Sequence, residues 1–254
     1  MIILMAGNYK TGKTVSAHTF PKPIISLDLD NGSSSIKHAT DKLGKLIVPN
    51  TNDIEIIKFI RKDYANTDFR TISKDEKISG APSYAYDSYN LVGKMNETLN
   101  DIANGNKKCR TLIIDSLSAL FVLWKDSVLH MNKIFGIRIQ DYGTLDRVLF
   151  HQFIPNLKLL DNVVDYVILT CHIEMDKDEL TGKIIEFPVG PSKPAGNKMG
   201  REFDEIWLQS NTNGIYEWRT KPHGFFQSGS RLHLPDPIIP ATYQQLKKLV
   251  PTMK

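Results

Sequence analysis

Eight consecutive residues, Gly7-Asn8-Tyr9-Lys10-Thr11-Gly12-Lys13-Thr14, read G-x-x-x-x-G-K-T. These residue types at this spacing suit a loop that cradles polyphosphate. Glycine places no Cβ in the way, so backbone N–H groups turn inward around phosphate oxygens. A helix opening at Lys13, Thr14 and Val15 adds its partial positive end to the same point. The Lys13 amine then reaches the β- and γ-phosphates, and the Thr14 hydroxyl ligates Mg²⁺. A second acid belongs opposite that hydroxyl. Thr111-Leu112-Ile113-Ile114-Asp115-Ser116 is an apolar run closed by a carboxylate suited to hold Mg²⁺, usually through water. An apolar run ending in Asp is a weak signal alone and a strong one beside the glycine loop. Together the two stretches predict a site for a nucleoside triphosphate with Mg²⁺.

The elements that must position these residues are legible around them. Ile2–Ala6 is a short apolar run suited to a buried strand, and Val15–Phe20 can continue as a helix. Pro21 and Pro23 break that helix. Ile24–Asp30 resumes as a strand that stops at Asn31-Gly32, with a short strand expected at Leu46-Ile47-Val48. Asp53 reads as a helix cap, with Ile54, Ile57 and Ile60 as the stripe behind it. Residues 61–90 read as an irregular insertion, followed by a helix over Leu91–Ala103. After the Asp115 strand, Leu117, Leu120, Phe121, Trp124, Val128 and Met131 fall at helical spacing and are expected in the core. A helix is expected from Thr144, a strand over Val163–Thr170 and a long mobile loop over 173–201. Strands over Phe203–Leu208 and Ile215–Thr220 precede a final helix over Thr242–Leu249. Alternating strands and helices give an α/β fold with a mostly parallel sheet.

Composition adds bounds. The 254 residues are 41% hydrophobic and 24% charged, the proportions of an ordinary globular chain. A net charge of +4 permits a polyanionic partner without requiring one. Two cysteines, Cys109 and Cys171, are too few for a disulfide framework and suit a reducing compartment. No apolar run approaches the length of a membrane span, and the glycine loop leaves no room for a secretory signal before it. The expectation is a cytoplasmic protein without a membrane partner.

Leu112 to Leu120, including Ser116 after Asp115, closely resembles the Mg²⁺-binding strand of RecA-type ATPases. The later parts resemble small phage-encoded RecA-like proteins of recombination and single-strand annealing: Cys171-His172, a long variable loop, then Phe203-Asp204-Glu205-Ile206. The resemblance covers nearly the whole chain and implies one RecA-like core over 1–254, a Mg²⁺-dependent ATPase stimulated by DNA. It makes Asp30 the carboxylate that activates the attacking water. RecA-type enzymes usually carry Glu there, so the shorter Asp leaves Asp28 as the alternative base, and a plain turn over Asp28–Gly32 also remains open. It makes His172 the residue that senses the γ-phosphate. The glycine-loop lysine Lys10 is not at the signature position of ParA-type ATPases, which fit less well.

Two segments are candidates for single-stranded DNA. One interleaves Lys133, Phe135, Arg138 and Tyr142; the other, Gly190–Arg201, carries Lys193, Lys198 and Arg201 and no acid. Cations along a backbone and flat rings for bases are what non-specific single-strand binding requires. The resemblance also implies a ring or filament of identical subunits, with Arg219, Lys221 or Arg231 reaching a neighbour's nucleotide and a single-strand-binding protein as a further partner. No residue identifies the subunit contact. Two rival readings stand beside this one: a DNA-binding or helicase-loading factor with little turnover, and a small-molecule kinase whose lid would draw on Arg61 and Arg70.

Overall fold

The structure is a computed structural model that describes residues 1–41, 43–60, 81–177 and 182–253. The chain opens with β1 (Ile2–Ala6), the glycine loop and a short α1 (Lys13–Ala17). Next come β2 (Ile24–Asp28), a 3-10 turn over Gly32–Lys37 and β3 (Ile54–Lys58). A long α2 (Ser83–Ala103) leads to β4 (Thr111–Asp115) and α3 (Leu117–Asn132). α4 (Ile139–Val148) passes through a π-helical turn, Leu149–Phe153, into α5 (Ile154–Leu160). β5 (Tyr166–Cys171), a hairpin of β6 (Ile173–Lys177) and β7 (Ile184–Pro188), and α6 (Lys193–Met199) follow. The chain closes with β8 (Glu205–Thr212), β9 (Ile215–Arg219), β10 (Gly229–Ser230) and α7 (Tyr243–Leu249).

Among the described residues, eight strands form one sheet in the order β10-β8-β1-β5-β4-β2-β3, with β9 also paired to β8. The pairings from β8 through β3 are parallel, and β9 and β10 add antiparallel edges. The apolar runs of β1, β2, β4 and β5 are buried throughout, as strands covered on both faces must be. Alternate residues feed two layers: Ile2 and Leu4 join Met95, Phe121, Trp124 and Leu157 on the face covered by α2 to α5. Ile3 and Met5 join Ala17, Phe20, Trp207, Trp218 and Leu246 on the other. This is the expected α/β core, a mostly parallel central sheet flanked by helices. Because β1, β2, β4 and β5 are parallel, Gly7, Asp30, Asp115 and His172 emerge at one sheet edge.

Several local expectations are overturned. Ile54–Lys58 is a strand parallel to β2, where a helix was expected. Its β-branched Ile54, Ile56 and Ile57 suit a pleated edge better than a helix, and the i, i+3 spacing is incidental. Leu46 makes a single bridge to Thr40, and no strand is assigned over 46–48. α2 begins at Ser83, so residues 83–90 are helical; residues 61–80, with Arg61 and Arg70, lie outside the described residues. α4 begins at Ile139, with the Asp141 carboxylate accepting from the Arg138 N–H at 2.9 Å. That shortens the basic connection to 133–138. Met131 is exposed at the end of its otherwise buried stripe. The segment 173–201 holds the β6–β7 hairpin and α6 in place of an unbroken loop. The hairpin exposes Met175 and Ile184 as well as Glu174 and Lys177, and the Ser192 hydroxyl caps α6 by accepting from the Ala195 N–H.

Candidate nucleotide site

The glycine loop leaves β1 between its two neighbours. A Cβ on Gly7 would lie 2.4 Å from the Gln209 carbonyl oxygen, so the loop starts with backbone against backbone. Gly12 has φ +86°, the left-handed region, and a Cβ there would lie 2.7 Å from the Tyr216 ring. α1 is only five residues long, shorter than the run to Phe20 suggested, so the loop's own N–H groups dominate its pull on an anion.

The loop directs Lys13 back across itself. The buried Lys13 ammonium donates to the carbonyls of Gly7 at 2.9 Å and Asn8 at 2.8 Å and stands 3.4 Å from His172 Nδ1. Burial lowers its pKa, and the Asp115 charge opposes that shift. The Thr14 hydroxyl donates to Asp115 at 2.6 Å, and the Thr170 hydroxyl donates to the other carboxylate oxygen. Burial raises the Asp115 pKa, and these two hydroxyls resist the rise.

The structure separates the two candidate bases. Asp28 is buried, and its carboxylate accepts from the backbone N–H groups of Gly32 at 3.1 Å and Ser33 at 3.3 Å. It therefore organises the turn. Asp30 stands at the surface of the same turn, accepting from Gly32 N–H at 3.1 Å and hydrogen-bonded to the Ser116 side chain. Loss of hydration, then the charge of Asp115, pushes its pKa up to about 6. A Cβ on Gly32 would meet Asp30 at 3.0 Å, Thr14 at 3.3 Å and Asp115 at 3.6 Å, so the three side chains surround one point.

His172 follows β5 directly. Its backbone N–H donates to the Ser118 hydroxyl at 2.9 Å, its ring lies 4.0 Å from that of Tyr9, and its carbonyl accepts from Val189 at 2.8 Å. Burial, then the Lys13 charge, pushes its pKa down to about 4, so the ring is neutral. Beside the loop, Gly12 and Val15 border a cleft of about 540 Å³, lined by Ala39, Leu46, Ile47, Tyr216 and Pro240. Its apolar walls and its place at the start of α1 suit a flat heterocycle attached to a phosphate chain.

These residues fit a Mg²⁺–nucleotide. Gly7 to Val15 would hold the phosphates, and Thr14 with Asp115 the metal, which would neutralise phosphate charge. Gly32, Thr170 and Tyr216 escaped sequence reasoning. Gly32 had a turn signal without a role, and the other two owe their places to strand pairing.

The basic segments are placed as follows. Lys133 and Phe135 are exposed, and the Arg138 guanidinium is bonded to Asp141 at 3.0 Å. Lys193 is exposed and pairs with Asp176 at 3.2 Å; Lys198 and Arg201 are exposed. The Ser192 hydroxyl donates to Asp146 at 2.8 Å, tying α6 to α4, the helix that starts beside Arg138. Arg219 pairs with Glu217 at 3.1 Å, Arg231 pairs with Asp204, and Lys221 is exposed. Among the described residues, no helix is long and apolar enough to cross a membrane.

A family model described as an AAA domain matches residues 1–232. Among solved structures, the flagellar accessory protein FlaH from Methanocaldococcus jannaschii is similar at 10% identity, over 94% of this chain and 83% of that one, with a TM-score of 0.42. The RadB recombinase is similar at 14% identity, over 90% of this chain and 83% of that one, also with a TM-score of 0.42. No curated protein matches the sequence.

Proposed function

The chain belongs to this AAA-domain family, and from that premise we propose that it is a Mg²⁺-dependent ATPase acting on single-stranded DNA. Recombination or strand annealing, as in phage-encoded RecA-like proteins, is the process that fits. The observation that carries the ATPase reading is the meeting of Lys13, Thr14, Asp30 and Asp115 at one sheet edge. Each has a distinct task there. Lys13 neutralises phosphate charge, Thr14 and Asp115 hold the metal, and Asp30 orients water and takes its proton. Tyr216 and the apolar cleft receive the adenine.

Lys133, Phe135, Lys198 and Arg201 contact the DNA backbone and bases, with Lys193 and Arg138 drawn in when their carboxylate partners release them. His172 links the two halves, since the β6–β7 hairpin leading to α6 starts one residue after it. Assembly of whole-chain domains into a ring or filament places Lys221, Arg219 or Arg231 against a neighbour's nucleotide. A single-strand-binding protein is the partner that would present the DNA.

The test is hydrolysis by the purified protein with and without single-stranded DNA, beside Lys13→Ala and Asp30→Asn. DNA-stimulated turnover lost in both variants supports the reading. Turnover indifferent to DNA and intact in Asp30→Asn overturns the assigned base and the DNA role. Tight ATP binding without turnover points instead to a loading factor.

A further inference from the structure

Tyr9 and Lys13 belong to one loop, yet they bracket the same imidazole. The Tyr9 ring lies 4.0 Å from the His172 ring at 30°, and Lys13 Nζ is 3.4 Å from Nδ1. An ammonium only donates, so in this contact Nδ1 is the acceptor. With Gly7 and Asn8, His172 supplies the third acceptor for three ammonium hydrogens. A phosphate oxygen that takes one of those hydrogens displaces an acceptor, and the longest of the three contacts is the one to His172.

The Tyr9 side chain is 77% exposed, so burial in the core does not explain its position. Lys10, immediately after it, has φ +60°, which turns the loop so that Tyr9 faces β5 while Lys13 returns beneath. The His172 backbone is anchored at 2.9 Å to Ser118, and its carbonyl at 2.8 Å to Val189, beyond the far strand of the hairpin. The ring is thus held by the glycine loop, and the backbone by the first turn of α3 and by the residue that follows β7.

We propose that Tyr9 is a positioning residue that holds His172 against Lys13 in the nucleotide-free protein, so that the β6–β7 hairpin answers to occupancy of the glycine loop. This rests on the reading of the loop as a nucleotide site and of His172 as its sensor. Loss of the Tyr9 ring frees the imidazole before any phosphate arrives, whereas phenylalanine in its place retains the stack.

The test is NMR of ring-labelled histidines in wild type, Tyr9→Phe and Tyr9→Ala, with His172 assigned by His172→Gln. In wild type and Tyr9→Phe, the His172 ring proton is expected upfield in the free protein and to move on addition of MgATP. Free Tyr9→Ala is expected to show the moved position already, and its nucleotide-free affinity for oligo-dT to rise roughly two- to tenfold. A His172 signal unchanged by Tyr9→Ala, or unmoved by MgATP in wild type, overturns the proposal. If wild-type binding of oligo-dT ignores nucleotide while the Tyr9→Ala shift is present, the positioning role stands and the DNA reading fails.

Discussion

The Thr14 hydroxyl donates to the Asp115 carboxylate across 2.6 Å, joining the first turn after the glycine loop to the end of β4. The two residues are 101 positions apart in sequence. β5 lies between their strands, and its Thr170 hydroxyl holds the other carboxylate oxygen. A buried carboxylate is thus fixed by two neutral donors. Burial raises its pKa, so at neutral pH its charge works against folding.

The first prediction follows from that sign. Asp115→Asn removes the charge and keeps an acceptor for one of the two hydroxyls. The metal-free variant is expected to melt no lower than wild type. Relief of about 1 kcal/mol would raise Tm by roughly 2–4 °C in a chain of this size. Mg²⁺-dependent ATP hydrolysis is expected to be lost. Calorimetry with a parallel hydrolysis assay checks both, and a lower Tm with intact hydrolysis contradicts the arrangement.

Asp30 gives a pH dependence. Its carboxyl is pushed up to about 6, and only the ionised form can accept a proton from water. Hydrolysis is expected to rise with pH through a midpoint near 6 and then level off. Stability runs the other way for this group, because the folded state binds the proton more tightly than the unfolded chain as pH falls from about 6 toward 4. Asp30→Asn is expected to lower kcat by about a hundredfold or more and to abolish the acid limb of the profile. An unaltered limb in that variant would assign it to another group.

The parts of the site that could be read from sequence are those whose chemistry is local. The glycine loop and the Asp115 strand place their residue types within a few positions of each other, so spacing alone exposes them. Thr170 has no such signal; it becomes a ligand of Asp115 only through the parallel register of β4 with β5. Tyr216 reaches Gly12 because β9 turns back along β8, a pairing that its own neighbours do not announce. The expected helix over Ile54–Ile60 failed because apolar residues at i, i+3 and i+6 mimic a helical face on an edge strand that is only half buried. The β6–β7 hairpin read as a loop because Glu174, Met175 and Lys177 are exposed, which erases the alternation of a half-buried strand.

Tyr216 separates base from phosphate binding. Its ring packs against Gly12 and walls the cleft of about 540 Å³. Stacking of a base on an aromatic ring contributes about 1–3 kcal/mol, so Tyr216→Ala is expected to weaken ATP binding by roughly five- to a hundredfold. Inorganic tripolyphosphate, which carries no base, should bind both proteins alike. Titration calorimetry with the two ligands distinguishes a base slot from general damage to the loop, which would weaken both.

His18 makes the fold sensitive to acid. Its Nδ1 lies 2.6 Å from the Thr14 carbonyl and therefore carries the proton it donates there. Burial holds its pKa down to about 4, so the folded protein keeps the ring neutral while the unfolded chain takes a second proton near pH 6.5. This contribution to stability is complete above pH 6.5 and is lost as pH falls toward 4. At pH 5 the loss is about 2 kcal/mol. Urea unfolding at pH 7 and pH 5 measures it. His18→Asn, which can still donate to Thr14, should flatten the difference; an equal drop in the variant would place the acid sensitivity elsewhere.

The DNA reading makes its own demand on salt dependence. Lys198 and Arg201 are exposed and form no ion pair among the described residues, whereas Lys193 is held at 3.2 Å by Asp176. A cation that touches a single-strand phosphate releases a condensed counterion and steepens the salt dependence of binding by about 0.7 per contact. Lys198→Ala and Arg201→Ala should each flatten the log–log slope for oligo-dT by about that amount. Lys193→Ala should flatten it less, because its charge is already shared with Asp176. Fluorescence anisotropy over a salt series checks all three. Equal flattening by all three would mean that Lys193 leaves Asp176 when DNA binds, and unchanged slopes in Lys198→Ala and Arg201→Ala would remove α6 and the turn after it from the DNA-binding surface.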